Sequence, residues 1–452
     1  MIIEWKGILI IAGILLIDLL IIKAFGEKIK PETRRKAFHM SMGIIMLGLP
    51  YLFSNMVSVL VLAIIAFLTL YTIKQTRLKQ SIGSVLYGVK RKSFGEFFYI
   101  ISVLLIFYLS KGDKILYSIP ILILAFADTC AALIGKIYGM NQLAEKTEDK
   151  KSLEGSFAFF IVAFMSTLVP LLLFSQVGRS ELLSISLVVG FNIALIEMIA
   201  SRGNDNLLIP LTAFAFLNYL LPLTQHELNL HLLLITAICV LVFVLTRIKQ
   251  LSKLALAEVV VVGYLTIILY NWYALIPPLL LFLTVMRLPK ANKEEENLVY
   301  DARIIETNVL LGLAICVIAS ITGLKEQIYM TYVTCYAMHL AVNTFVRFKY
   351  YFKMTDFQAL MMSFLKALGF IFIPGLFIQR FCLNYEIDWI LVGTMLVLLF
   401  GSSLTILFHK KDVEKEEITI KNGYMHLKIV AIYIAIIGII QFLQTGVLLN
   451  GI

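Results

Sequence analysis

Apolar runs of about 20 residues recur along the whole of this 452-residue chain, and short polar loops separate them. A run of that length allows one helix to cross the hydrocarbon core of a bilayer, where the backbone must satisfy its own hydrogen bonds. The pattern therefore predicts an all-α, polytopic integral membrane protein with about 16 transmembrane helices. The predicted spans include 38–54, 156–175, 182–200 and 207–223.

Basic residues fall mostly in short loops, and they give the chain a net charge of +10. The most basic of these loops are 26–36, 74–92, 247–253, 287–303, 347–353 and 409–421. Cytoplasmic loops of membrane proteins carry an excess of lysine and arginine, so alternation places these loops inside and both termini on the outer side. Topology thus explains the charge without a nucleic-acid partner. We expect a multi-pass protein of a bacterial inner membrane, with the lipid bilayer as its surroundings.

The five cysteines form no CxxC pair, and most of them lie in apolar runs. They are typical of small core residues rather than of a disulfide or zinc framework. The six histidines likewise show no metal-binding spacing.

The stretch Ala125–Ser156 places an acid inside a predicted membrane helix and then leaves the membrane through a polar loop. On a helix, Asp128, Ala132 and Gly135 fall on nearly the same face. Small residues on such a face also favour close packing between helices, but packing does not require the carboxylate. Because a charge inside a membrane is costly, Asp128 is a candidate functional residue and a candidate magnesium ligand.

The polar loop closes with the segment KKSLEG, which begins at Lys150. Lys150 and Lys151 lie at the mouth of the same predicted helix pair, where they would suit phosphate binding. Gly155 would let a phosphate approach the backbone, and Glu154 belongs to the same candidate nucleotide-binding segment. The same residues would also occur in a solvated loop in which Ser152 is the N-cap of the next helix.

The segment ETRRKAFH, residues 32–39, offers cations at the start of a predicted span. Arg35, Lys36 and His39 share an arc of about 100° if the helix of the span predicted at 38–54 begins here. Arginine binds phosphate oxygens with a forked geometry, so the segment is a candidate phosphate clamp. A basic flank placed by the positive-inside rule would look the same. His39 would serve equally as a buried hydrogen-bonded residue or as a base.

Further acids lie at the predicted cytoplasmic edge of the membrane. Glu197 lies near the end of the span predicted at 182–200, and Asp205 and Asn206 follow it in the segment RGNDN. A polar turn would explain these residues by themselves. Together with Asp128 and the lysines, they suit a complex of magnesium with a nucleoside triphosphate. The chain has no GxxxxGK(S/T) motif, so the pattern does not indicate a P-loop.

Taken in order, the motifs ETRRKAFH, RKSFGE, ADTCAALIGKIYG, KKSLEGS and EMIASRGNDNLLIP resemble those of the polyprenol kinase family. That family includes dolichol kinase, phytol kinase and a CTP-dependent diacylglycerol kinase, and it is related to the phosphatidate cytidylyltransferases. The resemblance covers about residues 25–223. It implies CTP as the phosphoryl donor, a lipid alcohol as the acceptor, and functional importance for Arg35, Lys36, Asp128 and Gly135.

We therefore expect 1–225 to be a CTP-dependent lipid-alcohol kinase-like membrane domain acting at the cytoplasmic face. The region 226–452 departs from the family pattern, and we expect it to be an accessory helical region, with Glu258 as its main membrane-edge acid. The expected catalytic residues are Arg35, Lys36, Asp128, Glu197 and Asp205. The expected nucleotide-binding residues are Gly135, Lys150, Lys151, Glu154, Gly155 and Asn206, and the expected magnesium ligands are Asp128 and Asp205.

Two other functions stay open at this point. A cytidylyltransferase would use much the same nucleotide and metal site, but its products would be pyrophosphate and a CDP-lipid. A transporter of lipids or solutes would be indicated by inverted repeats with broken helices at the membrane midplane. The polar motifs gather at one membrane face instead, which argues against transport. The sequence indicates no particular lipid alcohol and no particular oligomeric state.

Overall fold

Helices form the regular structure of the residues that this computed structural model describes, and no β-strand occurs among them. The described residues are 3–25, 29–76, 83–87, 94–143, 151–200, 203–245, 252–286, 302–350, 352–408 and 420–449. The expected all-α class is thereby confirmed. The chain divides into two units by its internal contacts: unit 1 is Met1–Ala237 and unit 2 is Ile238–Ile452.

The described residues of unit 1 are mostly helical. The helices are α1 (Trp5–Phe25), α2 (Pro31–Met46), α3 (Leu49–Leu52), α4 (Met56–Gln75), α5 (Ser84–Tyr87), α6 (Gly95–Ser110), α7 (Lys114–Leu122), α8 (Asp128–Tyr138), α9 (Leu153–Phe174), α10 (Arg179–Ile199), α11 (Asp205–Leu220) and α12 (Gln225–Leu245). A π-helical turn, Ile123–Ala127, joins α7 to α8, so that the two form one continuous rod. The division between the units falls inside α12.

Short polar side chains cap the starts of several of these helices, among them α7 and α9. Asp113 caps α7 by accepting a hydrogen bond from the amide of Ile115 at 2.8 Å. The predicted cap at Ser152 is confirmed, because its Oγ accepts from the amide of Gly155 at 3.1 Å and α9 begins at the next residue. Each cap satisfies an amide that the first turn of a helix leaves without an intrahelical partner.

The helix bounds follow the predicted apolar runs within a few residues, except at the second span. The helices α9, α10 and α11 cover the runs predicted at 156–175, 182–200 and 207–223. By contrast, α2 begins at Pro31, whereas the sequence predicted a loop to residue 36 and a span from 38. Proline suits the first position of a helix because its φ angle is already helical and it has no N–H to leave unpaired. The basic residues of this segment are therefore helical.

Seven helical stretches of the described residues are long and apolar enough to cross a membrane. They are Trp5–Ala24, Met56–Gln75, Lys114–Tyr138, Leu153–Phe174, Arg179–Ile199, Ile305–Thr322 and Asp356–Cys382. The chain is thus a helical membrane protein. The count of about 16 spans and the outer position of both termini stay predictions.

Two well-buried helical stretches of unit 1 carry Asp128 and Glu197. In Lys114–Tyr138 and in Arg179–Ile199, 56% and 67% of the apolar window is buried, against 22% in α1, so the first two lie at the centre of the unit. The outer surface of α1 instead presents large apolar side chains such as Leu9 and Ile17, as a lipid-facing helix does.

Unit 2 is built around one long helix. Its helices are α13 (Lys253–Leu269), α14 (Ile276–Met286), α15 (Ala302–Thr322), α16 (Lys325–Tyr350), α17 (Asp356–Ala367), α18 (Ile373–Phe377), α19 (Trp389–Phe408) and α20 (Ile420–Leu449). Nearly every side chain of α16 from Tyr329 to Val346 is buried. This helix is therefore the core of unit 2.

Candidate active site

A buried ion pair joins α2 to α8 in unit 1. The Nζ atom of Lys36 donates to Oδ2 of Asp128 at 2.6 Å, and both residues are only 6% exposed. His39, one turn further along α2, places its Nε2 atom 3.4 Å from the same carboxylate oxygen. A buried carboxylate is stable as an anion only when it is paired and hydrogen-bonded, and these neighbours meet that need.

A glycine allows α2 to come this close to the rod that carries Asp128. A Cβ atom built on Gly43 would lie 2.3 Å from the Cβ atom of Ala125, a separation that real Cβ atoms do not show. Lys36, His39 and Gly43 follow one another at helical spacing, so the same face of α2 carries the cation, the imidazole and the gap. The missing side chain therefore sets the distance between Lys36 and Asp128.

The π-helical turn before Asp128 supplies a further contact to the imidazole. Nε2 of His39 lies 3.3 Å from the carbonyl oxygen of Leu124, which belongs to that turn. Both neighbours of Nε2 are acceptors, so the proton is assigned to this nitrogen. Single-turn π-helices occur often at functional sites. Of the two roles left open for His39, the structure shows the buried, hydrogen-bonded one.

Sequence reasoning missed the π-helical turn and the aromatic residue that supports His39. The ring of Tyr99 packs edge-on against the imidazole, with the ring centroids 5.4 Å apart. Tyr99 lies within an apolar run of α6, and nothing in its sequence neighbours distinguishes it from a core tyrosine.

A second ion pair lies at the start of α9. Nζ of Lys151 is 2.8 Å from Oε1 of Glu197 and also donates to the backbone carbonyl of that residue. The hydroxyl of Ser156 lies 3.3 Å from Oε2 of Glu197, a contact that sequence reasoning also missed. Burial opposes the charge of Lys151, but the nearby carboxylates of Glu197 and Asp205 outweigh it and raise the pKa of this lysine. Lys151 is therefore held as a cation.

Asp205 and Arg35 connect the two ion pairs electrostatically. Asp205 is the first residue of α11, and its charge acts on Lys151, Arg35 and His39. Arg35 is partly exposed and forms a forked pair with Glu32, with contacts of 2.6 and 3.1 Å, while Asp128 also attracts it. The structure thus brings five predicted catalytic residues into one electrostatic field; they are Arg35, Lys36, Asp128, Glu197 and Asp205.

The predicted nucleotide-binding residues are more scattered. The side chain of Asn206 donates to the backbone carbonyl of Gly95 at 2.8 Å and so ties α11 to α6. The carboxylate of Glu154 faces the exposed loop and accepts from the side chain of Asn141 at 2.7 Å. Lys150 lies outside the described residues. The structure therefore brings Lys151, but not Glu154 or Asn206, to the two ion pairs.

The two predicted glycines pack α8 against α9. A Cβ atom on Gly155 would lie 2.9 Å from the carbonyl oxygen of Ala131 and 3.2 Å from the Cα atom of Gly135. Close helix packing was one of the two explanations of this small-residue face, and it is the one that the structure displays. Backbone approach to a phosphate at these glycines stays a prediction.

Comparison with known proteins finds relatives among lipid kinases. The CTP-dependent diacylglycerol kinase 1 of Saccharomyces cerevisiae is 32% identical over 222 residues, which take in 43% of this chain and 75% of that enzyme. The protein of the same name from Eremothecium gossypii is 26% identical over 230 residues, or 45% of this chain and 71% of that enzyme. The chain belongs to the polyprenol kinase family. No family model and no solved structure matches it.

The residues that the family motifs single out in this polyprenol kinase family member lie at two different places in the structure. Arg35, Lys36 and Asp128 lie in the shared electrostatic field, whereas Gly135 lies in the helix contact with α9. The alignment with either relative leaves out more than half of the chain. Of these motif residues, Arg35, Lys36 and Asp128 are the ones whose side chains can carry charge to a substrate.

Proposed function

We propose that unit 1 transfers the γ-phosphoryl group of CTP to the hydroxyl group of a membrane lipid alcohol. The observation that carries the proposal is the pair of lysine–carboxylate contacts, Lys36 with Asp128 and Lys151 with Glu197, within one electrostatic field. Two relatives carry the name CTP-dependent diacylglycerol kinase, which supports CTP as the donor and a lipid alcohol as the acceptor.

The paired charges match those of a magnesium nucleotide. Phosphate oxygens need cations, and a magnesium ion needs carboxylates. When the nucleotide binds, Lys36 and Lys151 exchange carboxylate oxygens for phosphate oxygens, which leaves Asp128 and Glu197 available to the metal ion or the acceptor hydroxyl. Phosphoryl transfer depends mainly on positioning and charge neutralisation, so groups that already lie in place need little rearrangement.

Magnesium fits the donor set of this site. The ion is usually held by one or two carboxylates together with substrate phosphates. Asp128 and Asp205 would supply the carboxylates, since both act on the same cation, Arg35. Within the described part of the chain, no three side chains of metal-binding type lie close enough to hold an ion alone, so phosphate oxygens would complete the set. Bound there, magnesium would neutralise charge on the transferring phosphoryl group.

The reaction exchanges one oxygen–phosphorus bond for another. The lipid oxygen bonds to the γ-phosphorus, CDP leaves, and the hydroxyl proton is released. Among the family's acceptors, we favour diacylglycerol over polyprenol and phytol, because both relatives are named for it. The chemistry would take place at the cytoplasmic face, in the membrane that the sequence predicts to be a bacterial inner membrane.

The decisive experiment gives the purified full-length chain labelled CTP or ATP with a panel of diacylglycerol, polyprenol and phytol. We expect CDP and a lipid phosphate from CTP, and little product from ATP. Pyrophosphate and a CDP-lipid would instead identify a cytidylyltransferase. Absence of turnover with every alcohol, in protein that binds CTP, would contradict the proposed reaction.

A further inference from the structure

An acid lies inside the first helix of unit 1, and neither ion pair of the candidate active site includes it. Asp18 is about 10 Å of helix from the end of α1 at Phe25. The same helix is one of the stretches that are long and apolar enough to cross a membrane. An acid inside a membrane helix is costly, and the proposed reaction does not use this one. Asp18 is therefore a candidate for a further role.

Asp18 has a single polar partner among the described residues. The hydroxyl of Ser41 on α2 donates to its Oδ2 atom at 2.6 Å, whereas its Oδ1 atom accepts no hydrogen bond from a described residue. Asp18 also forms no ion pair within the described part of the chain, although Asp128 has both Lys36 and His39 beside it. One hydrogen bond between membrane helices contributes less than an acid inside the membrane costs. The carboxyl group of Asp18 therefore lacks a partner.

This polar pair, Asp18 with Ser41, lies on the lipid-facing side of both helices. On α1, the residues one turn before and one turn after Asp18 are Ile14 and Ile21, which are 43% and 51% exposed. On α2, the residues one turn before and one turn after Ser41 are exposed as well. Asp18 and Ser41 themselves are half-buried. The polar pair therefore interrupts a surface of exposed apolar side chains, where a membrane lipid can reach it.

Packing of α1 against α2 does not require the polar pair. Leu19 of α1, Phe38 of α2 and Val85 of α5 are buried together in an apolar cluster. Ser41 has a second acceptor in its own helix, since its hydroxyl lies 3.0 Å from the carbonyl oxygen of Phe38. A serine hydroxyl has one hydrogen to donate and can accept at the same time. Ser41 can therefore turn to Phe38 and leave Asp18 to a ligand.

An alcohol is the ligand that fits the polar pair. A hydroxyl group both donates and accepts, so it can bind the carboxyl group of Asp18 and the hydroxyl of Ser41 together. A lipid phosphate carries a charge of about −1.5 to −2 at neutral pH and would be repelled by ionised Asp18. The polar pair thus favours a lipid alcohol over the phosphate made from it.

The helix α2 carries the polar pair and the candidate active site on different faces. Ser41 contacts α1, whereas Lys36 and His39 contact the rod that carries Asp128. Ser41 lies about 8 Å along the helix axis from Lys36. A lipid alcohol bound to Ser41 would therefore lie against the helix that supplies Lys36 to the reaction.

We propose that Asp18 and Ser41 form a docking site for the hydroxyl group of a lipid alcohol, at the lipid-facing contact between α1 and α2. The site lies wholly within unit 1 and is separate from the two ion pairs. The identity of the ligand rests on the function proposed for unit 1, whose acceptor is an alcohol of this class. The lipid docks here from the bilayer, passes around α2 and is phosphorylated beside Lys36 and Asp128.

The test uses the full-length chain in phosphatidylcholine nanodiscs without CTP, so that no turnover enters the result. A photoreactive diacylglycerol and its methyl ether, with identical acyl chains, are crosslinked to it, and labelled peptides from 5–25 and 31–46 are counted. The ether keeps the apolar contacts but has no O–H to donate. We expect diacylglycerol to label these helices roughly tenfold more than the ether, as hydrogen bonds to a carboxylate would give. Asp18→Leu and Ser41→Ala should each remove most of that excess.

Steady-state kinetics connect docking to the reaction. Asp18→Leu should raise the KM for diacylglycerol by roughly fivefold or more, because the alcohol loses a binding contact that it makes before the chemical step. The kcat and the KM for CTP should stay unchanged, since the polar pair lies apart from the two ion pairs.

Two residues of the same unit provide matched controls. Glu181 is a half-buried acid that accepts from the hydroxyl of Ser180 at 2.9 Å, but it lies in the first turn of α10. Ser102 donates to a carbonyl of its own helix, as Ser41 does. Glu181→Leu and Ser102→Ala should leave the excess unchanged. Thermal unfolding checks that each variant is folded, and Ser41→Ala tests the site with the carboxyl group in place should Asp18→Leu fail to fold.

Several outcomes would overturn the proposal. Equal labelling by diacylglycerol and its methyl ether would show that water, rather than a lipid hydroxyl, completes the hydrogen bonds of Asp18. Equal labelling by a photoreactive phosphatidic acid would remove the preference for the alcohol, and equal losses in the controls would remove the site. Because CTP is absent, equal labelling in protein that phosphorylates diacylglycerol would overturn the docking site alone. Tenfold labelling in protein that phosphorylates no alcohol would support the docking site and contradict the reaction alone.

Discussion

At the scale of single residues, the site consists of pairs that sequence reasoning assigned to one membrane face but not to each other. Lys36 and Asp128 are separated by 92 positions; Lys36 was predicted to neutralise phosphate charge, and Asp128 was predicted to bind magnesium. Their contact depends on how α2 packs against α8, which no local pattern in the sequence records. The residue types and their common membrane face could be predicted, because a charged side chain in a membrane helix is energetically costly and therefore indicates a functional site.

We expect Asp128→Asn to lower kcat by about 100-fold or more, because the neutral amide no longer attracts Lys36 or a metal ion. Lys36 would also be left buried without its carboxylate, which should cost about 3 kcal/mol of stability. Turnover of CTP in membranes, together with thermal unfolding in detergent, measures both effects. Asp113→Asn is the matched control, since Asp113 caps α7 at an exposed turn. Near wild-type turnover in Asp128→Asn would exclude this carboxylate from the site.

At the scale of elements, the long apolar runs predicted the helices, and the small residues predicted where two helices pack closely. The predicted start of the second membrane helix was wrong. Pro31 was predicted to lie in a loop, whereas α2 begins at this residue, and proline is favoured at the first helical position. The π-helical turn Ile123–Ala127 could not be predicted, since its residues are as apolar as those of a regular helix. Both features decide where Lys36, His39 and Asp128 meet.

We expect Gly43→Ala to lower kcat strongly while the protein still inserts, because the added Cβ would lie 2.3 Å from that of Ala125 and push α2 away from Asp128. The double variant Gly43→Ala with Ala125→Gly transfers the gap to the other helix and should restore much of the activity. Gly13→Ala, where an added Cβ meets nothing within 4 Å, is the control. Failure of the double variant to recover, with both proteins folded, would show that this contact does not position the ion pair.

At the scale of the whole molecule, the chain has two units, and we expect the nucleotide to bind to the first alone. Glu258→Ala and Glu306→Ala should leave the affinity for CTP with magnesium within about threefold, a change below roughly 1 kcal/mol. Arg35→Ala and Lys151→Ala should weaken it by about tenfold or more, since each removes a charge-assisted phosphate contact. Direct binding to detergent-solubilised variants provides the measurement. Equal losses at the later positions would place part of the site in unit 2.

The predicted topology also belongs to this scale. We expect Asn141 and Asn204, both exposed, to lie on the cytoplasmic side with the start of α2, because alternation places their basic loops on one face. Cysteine labelling at each position, in a chain whose native cysteines have been replaced, reports the side. If either residue were labelled from outside, its loop would lie on the other side of the membrane from the start of α2, and the two ion pairs could not belong to a common site.

The π-helical turn before Asp128 has a consequence for how this rod tolerates change in chain length. Such a turn holds one residue more than a regular α-helical turn, so deleting one residue from Ile123–Ala127 would leave a continuous α-helix rather than a break. Because the extra residue is taken up within a single turn, the two halves would keep their rotation about the axis, and Asp128 and Gly135 would keep their register with α9. A deletion elsewhere in the rod would instead rotate one half by about 100° relative to the other. The π-helical turn is therefore the place in the rod where the chain can lose one residue while the face that carries Asp128 keeps its direction.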